Sequence, residues 1–115
     1  MNLIPNIDAN AKQKIILALP DGTSSATLEL EFMDNLNAWY MSIASGSFVL
    51  KQRRVYNSGN MLHQWHKIIP FGLACVSADG LDPYNINDFV SGRSSLMLLS
   101  QDEAKAYSDY LQEGV

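Results

Sequence analysis

An all-β fold follows from three features of this sequence: a small antiparallel sandwich or partly open barrel of about six to seven strands, closed by a short C-terminal helix. Short β-rich runs recur between clusters of Gly, Pro, Asn, Asp and Ser. One run, 26–32, alternates apolar and polar residues without a break. The last segment opens with the pattern of a helix start, Ser100-Gln101-Asp102-Glu103.

Met1-Asn2-Leu3-Ile4-Pro5 reads as a short edge strand, because proline cannot donate to a central ladder. Lys14 to Leu19 is the next strand and stops at the turn Pro20-Asp21-Gly22, where Pro presets φ and Gly accepts positive φ. Ala26, Leu28, Leu30 and Phe32 then share one face, with Thr27, Glu29 and Glu31 on the other. That is a half-buried strand with a wet side. Asp34-Asn35-Leu36-Asn37 turns the chain, and Trp39, Met41 and Ile43 form the next apolar face, completing a hairpin. After the Ser45-Gly46-Ser47 turn, Phe48 to Tyr56 is a third strand of this meander. Its far half, Gln52-Arg53-Arg54, is polar on both faces and is expected to protrude or edge the sheet.

Asn57-Ser58-Gly59-Asn60 breaks that strand, and Met61 to Ile69 has no clean period, as in an irregular loop or a single helical turn. Pro70-Phe71-Gly72 resets the chain before a buried strand, Leu73 to Val76. A loop at 78–83 leads to a helical turn at 85–89, with Asn85 as cap and Asp88 at its third position. Ser95 to Leu99 is the last strand, a continuous apolar run. The helix runs from Gln101 to about Leu111, with Tyr107, Tyr110 and Leu111 as its apolar face.

Composition narrows the function. The length of 115 residues fits one domain with its own core. Charged residues are 17% of the chain, against about 25% in ordinary globular domains. A sparse charge suits a surface covered by partners. The net charge of −4 argues against a polyanion-binding protein, and Lys51-Gln52-Arg53-Arg54 is too short a basic run to track a phosphate backbone. The single cysteine, Cys75, forms no intrachain disulfide and lies in an apolar run, as a small buried hydrophobe does. The apolar runs fall short of the ~20 residues of a membrane helix, and the N-terminus lacks the basic and apolar regions of a signal peptide.

The search for chemistry leaves no catalytic, cofactor or metal assignment. His63 and His66 could share a helical face, but zinc needs three or four ligands, and Cys75 sits in an apolar setting. No serine stands in a Gly-x-Ser-x-Gly elbow. Glu29 and Glu31 lie on one strand face, whereas glycosidase chemistry needs carboxylates facing across a cleft. Asp79-Gly80-Leu81-Asp82 lacks the further acids of a calcium loop and reads as a turn. The residues that suit an interface are Arg53, Arg54, Tyr56, His63, Trp65, His66, Tyr84, Tyr107 and Tyr110, since aromatics and arginine dominate interface hot spots.

The ordered elements resemble the baseplate plug domain family of tailed phages with contractile tails, the cyanophage-type plug. The similar features run in sequence: Ile4-Pro5-Asn6, a strand ending Leu19-Pro20-Asp21-Gly22, and the alternating strand 26–32. Asn37-Ala38-Trp39-Tyr40-Met41-Ser42-Ile43 resembles the family's Trp-Tyr-hydrophobic-x-hydrophobic strand. The Gly46 turn, Leu50 and Val55, Met61-Leu62, Pro70-Phe71-Gly72-Leu73, the loop from Asp79 to Phe89 and the strand from Arg93 to Leu99 follow. The likeness spans residues 3 to 100, so 1–100 reads as the plug-like β domain and 101–115 as its helical extension. The chain departs from the family in having Phe71-Gly72 rather than paired glycines, and in its His-rich loop at 63–66.

The resemblance implies a structural protein of the virion tail baseplate, made in the host cytoplasm. It implies contacts with hub, tube, spike or wedge proteins, several copies in a symmetric assembly, no enzymatic activity and no cofactor. Neither nucleic acid nor membrane is an expected partner. Two alternatives come from the residues: a β-barrel module binding carbohydrate through Trp65 or Trp39, and a tail-associated enzyme accessory domain using His63 and His66.

Overall fold

A computed structural model describes residues 2–20, 22 and 24–113. Seven strands and one α-helix follow along these residues: β1 (Asn2–Leu3), β2 (Lys12–Ala18), β3 (Ser25–Met33), β4 (Ala38–Ser45), β5 (Phe48–Arg54), β6 (Phe71–Ser77), β7 (Ser94–Ser100) and α1 (Gln101–Glu113). They form two antiparallel sheets, one of three strands in the order β1-β7-β6 and one of four in the order β2-β3-β4-β5. No sheet closes into a barrel among the described residues, so the fold is an open sandwich. Met1, Asp21 of the turn at 20–22 and the last two residues of the expected helical extension lie outside the described residues.

The core lies between the sheets. Leu28 and Leu30 of β3, and Trp39, Met41 and Ile43 of β4, are buried, as their alternation predicts. Opposite them stand Phe71, Leu73 and Cys75 of β6 and Leu96 and Leu98 of β7. Trp39 joins the layers: its ring meets Phe32 and Phe89 edge-on, at 5.4 and 5.3 Å between centroids, and its Nε1–H donates to the Asn85 carbonyl at 3.1 Å. Turn chemistry sets the β3–β4 connection, where Asn37 takes φ +48°.

The three-stranded sheet has a second cover. Leu99 faces away from Leu98, and together with Ala74 it is buried outside the inter-sheet cluster, against α1. The expected capping box forms: Glu103 N–H donates to Ser100 Oγ at 3.2 Å, and Ser100 N–H donates to Glu103 Oε1 at 2.9 Å. The apolar face of α1 differs from the expected one. Its buried stripe is Ala104 and Ser108 flanked by half-buried Tyr107 and Leu111, while Tyr110 is 69% exposed. The centre of that stripe is made of two small residues, and α1 packs on both β6 and β7. The run 96–99 of β7 is apolar as expected, with Leu96, Leu98 and Leu99 buried and Met97 half-buried.

Candidate functional site

Two side-chain clusters occupy the loops of the sandwich. The first gathers five of the nine interface candidates around Trp65. Asn60 starts it. Its buried Oδ1 accepts the N–H groups of Leu62 and Leu73, both at 3.0 Å, which ties the loop to β6. Gly72 makes room for that amide, because a Cβ there would lie 2.8 Å from Asn60 Nδ2. Met61, Leu62 and Ile69 then enter the core, so this segment without a clean period is anchored through its apolar residues. Between the anchors lies one 3-10 turn, His63–Trp65, whose two rings are half-buried, Trp65 packing against the core.

Trp65 is half-buried rather than fully displayed, because Phe48 of β5 packs edge-on against it at 6.1 Å. The guanidinium of Arg53 lies over its ring at 5.6 Å, within cation–π range. Arg53 can reach because a bulge interrupts the β4–β5 ladder between Met41 and Ile43, with Gln52 at φ +51°. His63 and His66 stack at 5.1 Å, and His63 meets Tyr107 of α1 edge-on at 5.7 Å. His66 Nδ1 lies 2.8 Å from the His63 carbonyl, which can only accept, so Nδ1 carries the proton. Its Nε2 lies 3.3 Å from Ser108 Oγ, which fastens the loop to α1. Gly59 admits the Tyr107 ring, since a Cβ at 59 would lie 2.5 Å from it.

The second cluster was not anticipated as a unit. Arg93 places Nη1 2.9 Å from Asp88 Oδ2 and Nε 3.1 Å from Asp79 Oδ2. Its Nη2 also donates to the carbonyls of Leu81 and Asp82, at 3.5 and 3.4 Å. Asp88 is buried, and its Oδ2 accepts the N–H groups of Tyr84 and Asn85 at 2.7 and 2.8 Å, which realises the expected cap of the 85–89 turn. The Tyr84 ring covers the guanidinium at 4.3 Å. The Leu81 N–H on its carboxylate, with Arg93 beside it, holds Asp79 below the ordinary aspartate range. The loop Asp79–Asp82, expected to be a plain turn, is thus one wall of an ionic knot.

The remaining candidates stand apart. Arg54 pairs with Tyr40 on the outer face of the four-stranded sheet, opposite to Arg53. Tyr56 follows β5 beside Asn57, whose N–H donates to Asp82 Oδ1 at 2.9 Å. Tyr110 is on the far side of α1 from its buried stripe. Trp39 is enclosed in the core, which removes it as a sugar platform. Glu29 and Glu31 pair across the ladder with Lys14 and Lys12, at 3.9 and 3.6 Å. Burial, with the charge of Asp82, pushes the Cys75 thiol up to about 11, so it stays protonated at neutral pH. No group of three or more His, Cys, Asp or Glu placed to hold a metal ion occurs among the described residues, and no described helix is long and apolar enough to cross a membrane.

Chemically, the Trp65 cluster offers an exposed cation, ring faces and the apolar side chain of Ile68, which is 71% exposed. Side chains of these kinds can contribute stacking and desolvation to a contact. Reasoning from sequence missed Phe48 and Ile68 as neighbours of this cluster. The position of Phe48 at the start of an edge strand was the available signal. Comparison with protein-family models gives no match, and neither does comparison with curated proteins.

Proposed function

We propose that this protein is a structural part of a contractile-tail baseplate, a plug-like component that works by contact with hub, tube, spike or wedge proteins. The observation that carries the reading is the convergence of Arg53, His63, Trp65, His66 and Tyr107 into one braced surface. Sequence-distant elements β5, the 3-10 turn and α1 each supply part of it. A ready-made arrangement of an arginine and aromatic rings lowers the ordering cost of binding a neighbour. The low charge and the ordered resemblance to plug domains support the same assignment.

The test is co-purification of the tagged chain with separately produced hub, tube, spike and wedge proteins, together with mass spectrometry of purified virions. The expected result is binding to at least one of the four, lost in Arg53→Glu and in Trp65→Ala while Arg54→Glu binds normally. Absence from virions combined with no binding to any of the four would overturn the reading.

A further inference from the structure

The four-stranded sheet ends in two outer strands, and one of them is an uninterrupted edge. β2 pairs with β3 over seven consecutive residues without a shift. Phe32 N–H donates to the Ala11 carbonyl at 2.7 Å and Leu19 N–H to the Ser24 carbonyl at 3.1 Å. Hydrogen-bonded pairs alternate in an antiparallel ladder, so the odd-numbered residues of β2 are the ones bonded to β3. Lys12, Lys14, Ile16 and Ala18 therefore turn their N–H and C=O groups outward. Among the described residues no strand pairs with that edge.

Lys12 and Lys14 guard the first half of the edge, whereas Ile16 and Ala18 leave its second half uncharged. Ile16 is 69% exposed, the most exposed large hydrophobe in any described strand, and Leu3 of β1 is 58% exposed. The two flank a groove running between β1 and β2, whose floor includes Ile4, Leu17 and Leu98. No proline, bulge or inward charge blunts β2, and its lysines are already paired with Glu29 and Glu31 of the neighbouring strand.

We infer that this edge is the self-association surface of the protein: β2 pairs antiparallel with β2 of a second copy, and the two four-stranded sheets become one continuous sheet. The edge is self-complementary in one full-length register. With Ile15 opposite its own copy, Lys14 faces Ile16 and Lys12 faces Ala18, so no two lysines oppose each other. All four outward-facing residues then exchange backbone hydrogen bonds, and the inward-facing Ile15 and Leu17 of the two copies extend the groove into a shared apolar seam. A register centred on Lys14 would oppose like charges and forfeit part of the ladder. The inference is independent of the baseplate assignment, because it concerns the purified chain alone.

Sedimentation equilibrium of the full chain tests it. The expected mass at about 100 μM is twice the 12.8 kDa protomer. Ile16→Lys sets a new charge against Lys14 of the second copy and weakens association about tenfold or more, with the far-UV spectrum unchanged. Ile16→Pro removes only an outward N–H and does the same. Val49→Lys, on the other outer strand, leaves the dimer intact. Ile15→Cys forms an intercopy disulfide on mild oxidation, since directly opposed residues of this type lie within disulfide reach. A monomeric wild-type chain, a dimer unchanged by both Ile16 variants, or failure of Ile15→Cys to cross-link would each overturn the pairing. A monomer that instead accepts a foreign strand at β2 would overturn it in favour of another partner.

Discussion

The loops of this sandwich are held by two different kinds of polar chemistry. Around Arg93 every charge is answered inside the cluster: two carboxylates, two carbonyls and a tyrosine ring surround one guanidinium. Around Trp65 the contacts are between rings, at 5.1 to 6.1 Å, and Arg53 has no carboxylate partner among the described residues. The first cluster fixes a loop and presents little that is unsatisfied. The second is anchored from below by Asn60, its rings are half-buried against one another, and Arg53 stays exposed. The difference separates residues that hold the fold from residues that can meet a neighbour. It places Tyr84, one of the nine interface candidates and 48% exposed, in the first cluster.

Mutations can break or sharpen this division. The largest effect is expected from Asp88→Ala, which leaves the N–H groups of Tyr84 and Asn85 without their acceptor and Arg93 without its buried counter-ion. A loss of about 3 kcal/mol in urea unfolding is expected. Asn60→Ala should cost about 2 kcal/mol by orphaning the N–H groups of Leu62 and Leu73, and it should also loosen the Trp65 surface. If Asn60→Ala proved the costlier of the two, the charge knot would not be the principal lock. Ser100→Ala removes the cap of α1 and should cost about 1 kcal/mol, with fraying near Tyr107 visible as faster amide exchange.

The smallest effect is one of pH. Asp79 is held below its ordinary value, near 3.8, so its contribution to stability is complete above that value and fades as the pH falls through the lower folded-state pKa. Asp79→Asn should therefore lower the urea midpoint slightly at pH 7 and leave it unchanged at pH values below the folded-state pKa, so that the acid limb becomes flatter. A wild-type acid limb identical to that of the variant would show that Asp79 does not couple the knot to pH.

Much of the fold was legible because its signals are local. The alternation of Ala26, Leu28, Leu30 and Phe32 reports which side of a strand meets the core, whatever lies across from it. The Ser100–Glu103 box and the Asn85–Asp88 cap close within four residues, so neighbouring side chains suffice to predict them. The candidate site was legible only as a set of residue types. Arg53 and Arg54 are adjacent and chemically alike, yet strand alternation and the bulge at Gln52 send one to Trp65 and the other to the opposite face. Tyr107 and Tyr110 are equally apolar, but only Tyr107 finds a cleft, at Gly59.

The sequence by itself determined the strand periodicity, the turns, the helix start and hence the all-β class, because these depend on contacts a few residues apart. Only the tertiary structure decided that Arg93 would be enclosed by Asp79 and Asp88, that Met61 and Ile69 would pin the histidine loop, and that β2 would keep a bare edge. Those outcomes depend on which distant segments are brought together by burying the apolar faces. Hydrophobic burial is not directional, so periodicity names the faces without naming their partners.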